Sequence, residues 1–139
     1  MTLKLQLVQN GEVIFEIPLS LKEWSREELQ SELEALERDF ERFSKIFDAL
    51  SHETRLRMMK RLLEDEDQTV SFVDFMRDLE LNPKIVWEST RKLHEGGLLE
   101  KIGKGRYRCS LFGEVEFMMS LALRHLIETL EELENLHRR

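Results

Sequence analysis

The sequence predicts a mainly helical chain with a small β component, an α+β fold in which short hairpins accompany long amphipathic helices. Three observations lead there. Only two prolines and six glycines punctuate the 139 residues, so turns are few and helices can run long. Apolar side chains recur three and four apart over most of the chain, the spacing of a helix with one buried stripe. Strict alternation is confined to the first twenty residues and a stretch around residue 100, and alternation marks half-buried strands.

In the first stretch, Leu3, Leu5 and Leu7 alternate with polar residues, as do Val13, Phe15 and Ile17, and Asn10-Gly11 lies between them. Asn-Gly is the strongest short hairpin signal, so residues 1–20 are expected to form a β-hairpin. A two-residue loop would set Leu5 against Glu16. A three-residue loop, Gln9-Asn10-Gly11, sets Leu7 by Val13, Leu5 by Phe15 and Leu3 by Ile17, and is the expected register, with Gly11 in a left-handed bulge.

Ser25 with Glu28 three residues on reads as a capping box opening one long helix over 25–50. Along it Leu29, Leu33, Leu36, Phe40, Phe43, Phe47 and Leu50 keep a 4-3-4-3-4-3 spacing, the seam of a coiled coil. Its first half, with Leu29, Leu33, Leu36 and Phe40, suits pairing with a partner helix; an amphipathic helix on its own core is the alternative. Ser51 is the expected cap of the next helix, with Leu56, Met59, Leu62 and Leu63 on its apolar stripe. The run Glu64–Gln68 ends it in a solvated loop. A short helix follows from Ser71, with Phe72, Phe75, Met76 and Leu79 inward. Asn82-Pro83 is a cap followed by proline at the first helical position, and the helix 83–95 stops at Gly96-Gly97. Two short strands, 98–102 and 106–111, flank the tip Gly103-Lys104-Gly105. A final helix, 112–139, carries Met119, Leu123, Leu126, Leu130 and Leu133 at 4-3-4-3 spacing, a second candidate pairing seam. The whole is expected to be one compact domain.

Composition narrows the function classes. No apolar run approaches the roughly 18 residues of a membrane span, and the first residues lack the basic start and apolar stretch of a signal peptide. Cys109 is the only cysteine, which leaves no intrachain disulfide and no cysteine zinc site. A cytoplasmic protein is expected. The net charge is −7, adverse to phosphate binding at first sight, yet unevenly spread. Residues 82–108 hold seven basic and three acidic side chains, whereas 21–48 hold five basic and nine acidic. A basic segment in an acidic chain is either an electrostatic footprint or a chance cluster of solvated charges.

Short helix, tight turn, capped helix and basic hairpin, in that order, form a winged helix-turn-helix over 51–111. Phe47-Asp48-Ala49-Leu50-Ser51-His52-Glu53-Thr54-Arg55-Leu56-Arg57 resembles the opening of the ArsR/SmtB-type winged-helix regulators of archaeal or bacterial type, in which an "ALS-x-x-TRL-R" stretch begins the second helix. Thr90-Arg91-Lys92-Leu93-His94-Glu95-Gly96-Gly97-Leu98-Leu99 resembles that family's exit from the recognition helix, and the Gly103–Gly105 tip stands where its wing turns. The resemblance covers roughly residues 42–113; the N-terminal hairpin is extra to it. It implies a homodimer made by the first and last helices, with helix 83–95 in the major groove of double-stranded DNA.

Helical phasing then selects the side chains. Val86, Thr90 and Leu93 share one stripe and should pack inward, leaving Lys84, Trp87, Glu88 and Arg91 outward. Lys84 suits a phosphate or guanine, and Arg91 can pair bidentately with guanine. Glu88 can accept from cytosine or pair with Arg91 or Lys92. Trp87 can touch thymine methyls and sugars or cover an apolar edge of its own domain. Lys92 completes the helical cations, and Lys101, Lys104, Arg106 and Arg108 place long cations on the wing; an edge strand guarded by charge is the alternative. Arg55 and Arg57 are further candidates for phosphate, Arg55 equally for a structural ion pair.

Metal sensing in the resembling family uses Cys-x-Cys before the recognition helix, where this chain reads Phe72-Val73-Asp74-Phe75-Met76, or Asp and His ligands on the last helix. His125 and His137 stand there twelve apart without an aspartate. No metal and no cofactor are expected, His52 and His94 read as surface or capping residues, and no phosphate loop or nucleophile with a base points to an enzyme. The expected function is that of a sequence-specific regulator of transcription. The alternative is a winged-helix interaction module whose hairpin and seams bind a component of the transcription machinery.

Overall fold

The computed structural model describes residues 3–138, without the side chains of residues 137 and 138, so His137 lies outside the described side chains. Contacts cluster in two units, Met1–Glu41 and Arg42–Arg139.

The N-terminal unit opens with β1 (Lys4–Gln9) and β2 (Glu12–Pro18), paired antiparallel. The loop has two residues, with Asn10 at φ +51° and Gly11 at φ +82°, both left-handed as a type I′ turn requires. The expected three-residue loop is therefore wrong. The ladder also slips between Leu7 and Val8: Val8 faces Val13, but Leu7 faces Phe15 and Leu5 faces Ile17. Ile14 is the extra, bulged residue. The bulge rescues the apolar pairing that an unbroken two-residue hairpin would have lost to Glu16. A 3₁₀ turn, Leu21–Glu23, leads to α1 (Arg26–Arg38), whose Ser25 cap accepts from the Glu28 backbone N–H at 3.1 Å.

The single helix expected over 25–50 is two helices. α1 ends at Asp39, with φ −96° and ψ 10°, and α2 spans Phe40–Leu50. Aspartate is a poor helix former because its short side chain competes for nearby backbone groups, and this break interrupts the seam after Leu36.

The C-terminal unit contains α3 (Glu53–Glu64), β3 (Thr69–Ser71), α4 (Phe72–Leu79), α5 (Pro83–Glu95), β4 (Leu99–Lys101), β5 (Arg106–Cys109) and α6 (Leu111–Arg138). His52 rather than Ser51 caps α3, its Nδ1 accepting from the Thr54 N–H at 3.2 Å while the Ser51 hydroxyl donates to the Asp48 carbonyl. Ser71 and Asn82 cap α4 and α5 as expected, accepting from Asp74 N–H at 3.0 Å and Ile85 N–H at 2.9 Å. β3 was not foreseen: Thr69-Val70-Ser71 is too short to show alternation. It pairs with β5, so the sheet order is β3-β5-β4.

Met58, Met59 and Leu62 of α3, Phe75, Val86, Leu93, Leu98 and Leu99 are fully enclosed. Burying each such side chain contributes about 1.5–3 kcal/mol before entropy is counted. Met59 and Leu62 lie on the stripe of α3 as expected and Leu63 packs partly against the core, but Met58 is buried in place of Leu56, which is exposed. Tyr107 of β5 lies against Phe75, ring centroids 6.1 Å apart. At the base of α6, a Cβ added at Gly113 would stand 2.0 Å from the Leu98 carbonyl oxygen, so only glycine lets helix and chain meet there. Among the described residues, no helix is long and apolar enough to cross a membrane.

Candidate nucleic-acid interface

α5 is positioned by its inner stripe. Val86, Thr90 and Leu93 are buried, as phasing required, and Lys84, Trp87, Glu88 and Arg91 face outward. Trp87 is 59% exposed, so more than half of the residue is open to solvent. The Arg91 guanidinium stacks on it, 5.3 Å from the ring centroid, a cation–π contact. Arg91 also reaches Glu95 at 3.4 Å. Two weak exposed partners hold the guanidinium outward without neutralising it by burial.

Lys92 stands apart from this face. Its ammonium pairs with Asp48 of α2 at 3.0 Å and holds the Asp48 carboxyl below the usual carboxylate range, chiefly by hydrogen bonding. Arg55 works on the same corner, donating to the Ala49 and Asp48 carbonyls at 2.8 and 2.6 Å. The stretch 47–57 thus closes the α2–α3 corner and ties it to α5, which answers the ambiguity over Arg55 in favour of structure. Among the described residues no ion pair joins Glu88 to Arg91, which reaches Glu95, or to Lys92, which reaches Asp48.

The β4–β5 hairpin is tethered near its tip by the Phe72 N–H, which donates to the Gly105 carbonyl at 2.7 Å, and by Ile102 N–H to the Arg106 carbonyl at 2.9 Å. Gly103 and Gly105 both have left-handed backbone, φ +74° and +65°. On this hairpin Arg108 pairs with its cross-strand neighbour Glu100 at 3.0 Å. Lys101, Lys104 and Arg106 are exposed. His94 is exposed, as expected of a surface residue, and its Nδ1 lies 3.2 Å from the Leu99 carbonyl, which joins α5 to β4.

The arrangement presents Lys84, Trp87 and Arg91 on one helical face and Lys101, Lys104 and Arg106 on a hairpin in the same unit; Arg91, Lys92 and Arg108 each also reach a carboxylate. Phasing missed Ile85, which is exposed in the first turn of α5, because apolar residues are assigned inward by default. Cys109 is buried, and burial, then Glu114 and Glu100, push its thiol up to about 11, the reverse of a reactive thiolate. Among the described residues, no group of three or more His, Cys, Asp or Glu could hold a metal ion.

Of the expected pairing seams, Leu33, Leu36, Phe40, Leu123 and Leu130 are exposed in the single chain, and Leu29, Leu126 and Leu133 are partly covered.

No family model matches the chain, and no curated protein matches it. Among solved structures, the crystal structure of the YusO protein from Bacillus subtilis is similar, with a TM-score of 0.50 and 16% identity over 82% of this chain and 94% of that one. At that identity the likeness concerns the fold alone.

Proposed function

We propose that the chain is a homodimeric winged helix-turn-helix regulator of transcription, of the ArsR/SmtB type but without a metal site, which reads double-stranded DNA with α5 and uses the β4–β5 hairpin as its wing. It carries no catalytic step. The observation that carries the reading is the outward face of α5. Its cap and buried stripe fix the helix rigidly, so Lys84, Trp87 and Arg91 project together from a preorganised surface, as base readout requires. Lys101, Lys104 and Arg106 supply the phosphate contacts that set register. The apolar residues left exposed along α6, among them Met119, Leu123 and Leu130, support two-fold pairing, and paired half-sites a helical turn apart need a two-fold protein.

The test is selection of bound duplexes from a random pool by the full chain, with Lys84→Ala/Arg91→Ala alongside. The expected result is a palindromic site that the double variant loses. No enrichment at low salt from folded protein refutes the proposal and leaves the second reading, a winged-helix module that binds a component of the transcription machinery. That second reading is favoured by one observation, the acidity and apolar exposure of the N-terminal unit.

A further inference from the structure

Within the N-terminal unit, β2 and α1 enclose an open cleft of about 740 Å³, within the roughly 300–1,000 Å³ range of ligand pockets. Phe15, Ile17 and Trp24 give it an apolar floor, and Glu27, Glu28 and Glu32 of α1 rim it. The floor is preformed. Phe15 and Ile17 are fixed by the bulged register against Leu7 and Leu5, and the Trp24 indole N–H donates to the Pro18 carbonyl at 2.9 Å. Phe15 nevertheless remains 47% exposed.

The rim is electrostatically incomplete. Glu16, on β2 and itself in the lining, is already compensated by Gln6 at 2.9 Å and Lys4 at 3.3 Å, and both hold its carboxyl below the usual range. Glu28 and Glu32 instead stand one helical turn apart as a like-charged pair, an arrangement that disfavours the helix unless a cation is near. Residues 1–41 carry ten acidic and four basic side chains, a net of −6, so phosphate-bearing partners are repelled. An occupant must bring an apolar body and positive charge together, and an aromatic floor beside carboxylates favours that combination further.

We propose that this cleft docks a short segment of a partner protein in which an apolar anchor is flanked by lysine or arginine. The cleft belongs to the N-terminal unit and α5 to the other, and the inference does not rest on the proposed DNA reading.

The experiment selects peptides from a displayed random library on the full chain, then measures one selected peptide, fluorescently labelled, by anisotropy. Enrichment of apolar residues next to lysine or arginine is expected. Glu27→Gln/Glu28→Gln/Glu32→Gln, which keeps the α1 capping pattern, should weaken the peptide about tenfold, as losing three exposed charge contacts would. Trp24→Ala tests the floor, and the thermal midpoint of the glutamine variant checks that it is folded. Enrichment of acidic or uncharged peptides, no enrichment, or equal binding by the glutamine variant overturns the inference. So does a shift of that variant from dimer to monomer in sedimentation, since a second copy would then be the occupant. Duplex binding measured on the same variant should be unchanged, so that failure of the peptide arm and failure of the DNA reading are told apart.

Discussion

The two units divide the molecule's physical assets unequally. Every buried side chain among the described residues lies in the C-terminal unit, the first being Ile46, and that unit is close to neutral, with seventeen basic and eighteen acidic side chains. The N-terminal unit holds nearly all of the net charge and buries nothing fully. A lone hairpin is marginal in water, and this one exposes apolar residues on both faces, Leu5 and Leu7 on one and Val8 and Val13 on the other. The lesson is that the C-terminal unit is specified by its own core, whereas the N-terminal unit is written as a surface. Its apolar residues are matched across strands and then left for something else to cover.

The sharpest way to break that comparison is a pair of truncations. Leu93→Ala, in the enclosed core, should cost about 2–5 kcal/mol in denaturant unfolding, and Leu7→Ala in the hairpin less than about 1 kcal/mol. Equal costs would mean that the hairpin is covered in the folded particle. Gly113→Ala ought to cost about 2–3 kcal/mol by overpacking, even though alanine favours a helix by about 1 kcal/mol over glycine, because the new methyl meets the Leu98 carbonyl. A stabilised Gly113→Ala would show that α6 does not seat on the core as described.

Smaller effects probe the polar links of the same unit. Cys109 should alkylate roughly a hundredfold more slowly at pH 8 in the native protein than in denaturant, since its thiolate is suppressed by burial. Its folded value is raised, so its contribution to stability is present below the unfolded value and fades as pH climbs toward 11. Asp48 runs the other way. Its folded value is lowered by Lys92, so its contribution is present above about pH 4 and fades in more acid solution. Asp48→Asn should therefore lower the thermal midpoint slightly at pH 7 and lose that difference near pH 2. A pH-independent difference would remove the ion pair from the account.

What the sequence disclosed follows from how local each signal is. α5 was legible to the residue because its cap, its proline and its glycine stop are neighbours in sequence. The outward set on α5 followed from phase alone. The ion pair of Lys92 was not legible because its partner lies 44 residues away, nor that of Arg108, because the cross-strand pairing with Glu100 depends on register. The break at Asp39 left the seven-residue seam spacing intact on paper, so the pattern gave no warning of it. The cleft was invisible, since its floor comes from a strand and its rim from a helix.

The bulge at Ile14 has one more consequence, for self-association. Two short apolar strands with free edges are the raw material of cross-β stacking. A bulged residue interrupts the row of evenly spaced edge groups and adds twist, so copies of this hairpin cannot stack in flat register. Deleting Ile14 would keep Leu5 against Ile17 and Leu7 against Phe15 while straightening the edge. The extra residue thus works against the flat, in-register stacking to which an exposed apolar ribbon is otherwise suited.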